Sequence, residues 1–186
     1  MGPENKLLAE LGGKAMVAQV VEQALASRAA PVVVVTGHQR EAVEAVLHDL
    51  DIRCVHNPDY ARGLSTSLHR GLAAVPAEAD GVVVCLGDMP RVEAAAIDRL
   101  IAAFNPLEGR AVCVPTWGGK RGNPVLFARR FLAEMQEIEG DVGARHLIGA
   151  YPEVVCEVAM DETGAGAGVL VDVDTPEALA ALKHAG

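Results

Sequence analysis

Short, wholly apolar runs alternate along this chain with longer stretches in which apolar residues return every three or four positions. The first pattern is that of β-strands covered on both faces, the second that of helices with one face against a core. The runs predict strands at Val32–Thr36, Ile52–His56, Val82–Leu86, Ala111–Pro115, Val154–Val158 and Val169–Val173. Helices are predicted over Ala15–Ser27, Arg40–Leu50, Ser65–Ala74, Glu93–Phe104, Arg129–Ile138, Val142–Ile148 and Pro176–Lys183. The runs VVVV and VVVCL are apolar at every position and read as central strands. Strand–helix alternation then argues an α/β fold with a Rossmann-like, doubly wound, mostly parallel sheet. Nothing in residues 1–14 reads as a strand, although a βαβ unit calls for one before the first helix. The expectation is a single domain over 1–186, N-terminally incomplete and lacking its first strand.

Composition narrows the classes. A length of 186 residues suits one domain with a substantial core. Only 3% of residues are aromatic, and 16 basic against 25 acidic side chains give a net charge of −9. That balance disfavours nucleic acid, whose phosphates are bound by clustered Lys and Arg. A single nucleotide needs only a few local cations. Cys54, Cys85, Cys113 and Cys156 are far apart and form no CxxC pair, so neither a zinc site nor a redox motif is indicated. They are expected to be buried free thiols. No signal peptide is evident and no apolar run nears the roughly 20 residues that span a bilayer, which predicts a cytoplasmic protein with no membrane partner.

Three places could carry chemistry. In VVVCLGDMP a strand runs into Gly87-Asp88, and ligands of open α/β sheets bind outside the carboxyl ends of strands. Gly87 would let the backbone turn, so that Asp88 offers a hard carboxylate suited to Mg²⁺; alternatively Asp88 caps the helix beginning near Arg91. Asp172 and Asp174 close the last strand on one face and could share that metal, or Asp174 or Thr175 caps the helix at Pro176. Gly63-Leu-Ser-Thr-Ser opens a helix whose free N–H groups could hold a phosphate or a base edge, or the hydroxyls are ordinary caps. Gly122–Phe127 and Gly140–His146 are two further Gly-marked loops. Arg145 could clamp an anion or be a solvated helix residue. His69 and His146 lack neighbouring partners and read as surface or structural.

These motifs, taken in order, resemble the molybdenum cofactor nucleotidyltransferase family (MobA-like NTP transferases), most closely its cytidylyltransferase branch. The matching residues are Met1–Leu8 with Gly13-Lys14, Val35-Thr-Gly37, Asn57-Pro58, Gly63–Leu68, Leu86–Pro90, Gly122–Phe127, Gly140–Arg145 and Asp172–Glu177. The resemblance implies CMP transfer from CTP to the terminal phosphate of molybdopterin with release of pyrophosphate. Lys6 and Asp88 would then be catalytic, Lys6 on the triphosphate and Asp88 on Mg²⁺, with Asp172 or Asp174 completing the metal site. Asn57, Gly63, Ser65, Ser67 and Gly87 would line the nucleotide pocket. Gly122, Asn123, Pro124, Asp141 and Arg145 would face the pterin-side substrate.

Such chemistry requires no enzymic nucleophile, since the attacking phosphate oxygen is already ionised, and no catalytic triad is visible. The sequence departs from the family at its start, where a strand and a glycine-rich loop reading roughly Leu-Ala-Ala-Gly-x-x-x-Arg would precede Met-Gly. Asn123 stands where His is frequent and Trp117 where Tyr is. Other readings stay open: guanylyl transfer to molybdopterin, nucleotidyl transfer to another phosphorylated metabolite, or a non-catalytic role handling the cofactor for a molybdenum enzyme.

Overall fold

The computed structural model describes residues 5–140, 143–160, 166–173, 175 and 178–180. Nine strands are present among them: β1 Glu10–Leu11, β2 Lys14–Ala15, β3 Val33–Thr36, β4 Arg53–His56, β5 Gly81–Val84, β6 Val112–Trp117, β7 Lys120–Arg121, β8 Val125–Ala128 and β9 Val155–Ala159. The helices are α1 Met16–Ala26, α2 Arg40–Leu47, α3 Leu64–Leu72, α4 Ala94–Ala103, α5 Leu132–Met135 and α6 His146–Ala150. Among the described residues no helix is long and apolar enough to cross a membrane.

The α/β reading holds, in two blocks. One is the parallel pair β3–β4, in register from Val33↔Arg53 to Thr36↔His56. The other is a five-stranded sheet in the order β5-β8-β6-β7, with β9 parallel to β6. Both β5 and β6 run antiparallel to the β8 between them. Thus β5, β6 and β9 point one way, and one reversed strand separates the first two.

Local sequence explains most boundaries. Helix α1 starts without a side-chain cap and instead buries Met16, Val17, Ala18, Val20 and Val21 from its first turn. It ends at Ser27, whose hydroxyl donates to the Ala24 carbonyl at 2.7 Å and so satisfies a terminal acceptor. Helix α4 stops at Ala103, ahead of Asn105-Pro106. A proline pushes the residue before it out of the helical region and cannot itself continue a helix.

Three departures from the expected elements matter for the site. Val169–Val173 is not a strand: Ala167–Leu170 forms a 3₁₀ turn, and an extended segment follows it. Its hydrogen bonds go to loops, with Asn123 N–H on the Val169 carbonyl at 2.9 Å and Val173 N–H on the Asp88 carbonyl at 3.0 Å. Conversely, Val125–Phe127, expected within a loop, belongs to β8, whose residues are 1–4% exposed. The Gly122-Asn-Pro punctuation hides a strand only four residues long. Residues 1–14, where no strand is expected, contribute most of a hairpin over 10–15, because Gly12 (φ 58°) and Gly13 (φ 81°) supply the two positive φ angles of a tight turn.

Smaller corrections concern helices and thiols. Arg129–Ile138 breaks into a 3₁₀ turn at Arg129–Phe131 and the short α5. All four cysteines are free, but Cys54 and Cys85 are exposed; only Cys113 is fully buried. The core lies under the five-stranded sheet, where Val112, Val114, Phe127, Met135 and Leu147 pack on one face. Leu100, Cys113, Leu126 and Met160 pack on the other.

Candidate functional site

The carboxyl ends of β3, β4 and β5 converge at one place, and the N-terminal segment ties them together. Asn5 caps the 3₁₀ turn Lys6–Leu8, its Oδ1 accepting the Leu7 N–H at 3.1 Å. Its Nδ2 donates to the His38 carbonyl just after β3 at 3.2 Å. The next residue, Lys6, reaches the turn after β5, where its Nζ sits 2.6 Å from Asp88 Oδ2. Two adjacent residues therefore hold two strand ends of different sheets side by side.

Asp88 is not a helix cap. Helix α4 begins six residues later, behind Glu93 and with no side-chain cap, while the Asp88 carboxylate meets Lys6. Gly87, expected to free the backbone for a turn, has no positive φ, and a Cβ there would make ordinary contact with Leu7 Cδ2 at 3.4 Å. The Val173 N–H donates to the Asp88 carbonyl, which brings the segment that holds the exposed Asp172 to the turn of Asp88. Asp174 lies outside the described residues. Among the described residues no group of three or more His, Cys, Asp or Glu side chains could hold a metal. The donor that is present, the Asp88 carboxylate beside Lys6, is of the hard-oxygen kind that takes a divalent cation together with substrate phosphates.

Asn57 follows β4 and is fully buried. Its Nδ2 donates to Thr66 Oγ1 and Ser67 Oγ, both at 2.9 Å, and its Oδ1 accepts the Asp59 N–H at 3.0 Å. It brackets the start of α3 against the 57–59 turn, so its action on any ligand passes through that loop. Gly63 opens α3 at φ 118° with no side-chain cap, a conformation that strains any other residue. The hydroxyls of 65–67 are therefore not N-caps. Two amides of this helix start are already engaged, Ser65 N–H by the Gly140 carbonyl at 3.2 Å and Thr66 N–H by the Gly63 carbonyl at 3.2 Å. An open cleft remains, lined by Tyr60, Ala61, Arg62, Gly63, Leu64 and Ser67.

The two Gly-marked loops separate. Gly140 touches Ser65, and a Cβ on Gly143 would meet Leu64 at 3.4 Å, so this loop borders the α3 cleft. Arg145 is exposed just before α6, and Asp141 lies outside the described residues. Gly122, Asn123 and Pro124 sit between β7 and β8 against Val169, where a Cβ on Gly122 would land on the Val169 carbonyl. They join the site through the 169–173 segment that also holds Asp172. His146 is exposed, and His69 is half-buried on α3.

Sequence reasoning missed Tyr60 and His38. Their rings lie 5.9 Å apart, Tyr60 lining the cleft, and a Cβ on Gly37 would come within 2.6 Å of Tyr60 Cβ. An aromatic beside Gly63 was the available signal.

Known proteins resemble this chain in sequence and in fold. The bifunctional protein GlmU of Leifsonia xyli is 37% identical over 100 residues, which are 53% of this chain and 21% of that protein. The chain thus spans about a fifth of that relative's length. The molybdenum cofactor cytidylyltransferase of Escherichia coli K12 is 29% identical over 150 residues, 78% of this chain and 70% of that protein. The crystal structure of Rv0371c from Mycobacterium tuberculosis in complex with manganese superposes with a TM-score of 0.83 at 25% identity, covering 97% of this chain and 92% of that one. Residues 1–154 match the model of the MobA-like NTP transferase domain. With those residues making up most of its length, the chain belongs to the MobA-like NTP transferase domain family.

Proposed function

We propose that this chain, as one domain over residues 1–186, transfers CMP from CTP to the terminal phosphate of molybdopterin with Mg²⁺ and releases pyrophosphate. The observation that carries the reading is the Lys6–Asp88 pair at 2.6 Å, placed where the ends of β3 and β5 meet. Likeness to the Escherichia coli cytidylyltransferase supports the choice of substrates.

In this reading an oxygen of the acceptor phosphate forms a bond to the α-phosphorus as the bond from that phosphorus to the pyrophosphate oxygen breaks. No proton need be removed from the nucleophile. Lys6 offers a cation to the triphosphate, and Asp88, with Asp172 beside it, would hold the metal ion. A bound Mg²⁺ supplies charge neutralisation on phosphate oxygens. The cleft at Gly63–Ser67 takes the nucleoside, and Asn57 keeps that loop in place. Gly122–Pro124 and the 140–145 loop border the acceptor side. Positioning and fixed charge are then the whole contribution of the protein. The setting is cytoplasmic, and the finished cofactor passes to a molybdenum enzyme.

The test is pyrophosphate release by the purified chain with molybdopterin, Mg²⁺ and either CTP or GTP. Turnover with CTP is expected. A preference for GTP would overturn the base assignment, and no release with any triphosphate would leave cofactor handling as the better reading.

A further inference from the structure

Strands β6 and β9 run parallel with Cys113 directly opposite Cys156. Opposed residues on neighbouring strands send their side chains out of the same face, with backbones roughly 4.8 Å apart, inside the Cα separations that a disulfide bridges. Both thiols enter the cluster of Ala96, Leu100, Leu126 and Val158. They adjoin across the two strands, and both are free. Cys54 differs: its register partner on β3 is Val34.

We propose that Cys113 and Cys156 are a reversible redox pair, oxidised by a peroxide to a cross-strand disulfide that staples β9 to β6. Exposure sets the order of events. Cys156 is half-buried on β9, which pairs only with β6 among the described residues, whereas Cys113 is fully buried. Burial, and then the adjoining Cys156 thiol, push the pKa of the Cys113 thiol up to about 12, so it competes poorly for oxidant. The Cys156 sulfur attacks one peroxide oxygen, the O–O bond breaks, and hydrogen peroxide gives one water and a sulfenic acid. The Cys113 sulfur then attacks the sulfenic sulfur. The S–S bond forms, the S–O bond breaks, and the departing hydroxyl leaves as a second water with the Cys113 proton. Two thiols have lost two electrons, and a small dithiol returns them by exchange.

The experiment exposes the native chain to hydrogen peroxide, unfolds it in iodoacetamide and maps its peptides. A Cys113–Cys156 linked peptide in most molecules is expected, with Cys54 and Cys85 outside it and dithiothreitol restoring both thiols. In the Cys156→Ser variant, peroxide should leave Cys113 open to alkylation after unfolding. Finding Cys113 alkylated in peroxide-treated wild-type protein, or either residue linked to another cysteine, would overturn the proposal. The readout does not depend on nucleotidyl transfer.

Discussion

Two valine-rich regions of this chain look alike in sequence and differ in the fold. In β6 and β8 the residues Val112, Cys113, Val114, Val125, Leu126 and Phe127 are at most 4% exposed. In β3 and β5 the apolar runs are no weaker, yet all but Thr36 remain partly accessible. The difference is pairing. Among the described residues β6 and β8 have strands on both sides, whereas β3 pairs only with β4 and β5 only with β8. An apolar run states that a strand prefers burial; its neighbours decide how much burial it receives. The candidate site lies at the ends of these less buried strands, one from each sheet, where the Asp88 carboxylate stays partly accessible.

The comparison can be broken first at its rigid end. Phe127→Ala should cost about 3–5 kcal/mol in chemical denaturation, since little around it can collapse into the cavity. A loss near 1 kcal/mol would show that the inner sheet is no better packed than the outer strands. Next is the site itself. Asp88→Ala should lower metal-dependent turnover by about 10²–10³-fold with an unchanged circular dichroism spectrum, because its backbone carbonyl still accepts Val173. Wild-type turnover in that variant would reduce Asp88 to a partner of Lys6. Asn57→Ala removes a buried amide that serves three partners, and thermal melting should report a loss of about 1–3 kcal/mol together with a raised KM for the nucleotide. The smallest effect belongs to β5: Val84→Ala should cost about 1 kcal/mol in the same denaturation assay, well below Phe127→Ala.

Much of this was legible along the chain. The runs at 32–36, 52–56 and 82–86 name β3, β4 and β5 to within two residues, and the Gly87-Asp88 step after the last of them picks out the carboxylate that meets Lys6. The hairpin around Gly12-Gly13 was not read, because strands of two residues carry too little pattern. The 169–173 run failed for another reason. Its alternation suits a strand, but its backbone bonds go to the loops at Asn123 and Asp88 instead of to a neighbouring strand.

Side-chain period and backbone freedom are local properties, and they suffice for three features. These are the alternation of elements, the Gly12-Gly13 pair whose positive φ angles close a tight turn, and the glycine that opens α3. Folding alone brings Lys6 onto Asp88, 82 positions away, ties Val173 to the Asp88 carbonyl, turns Asn57 inward and places Cys113 against Cys156. Each of these depends on which strands become neighbours, and strand order is fixed by packing of the whole core rather than by any stretch of chain.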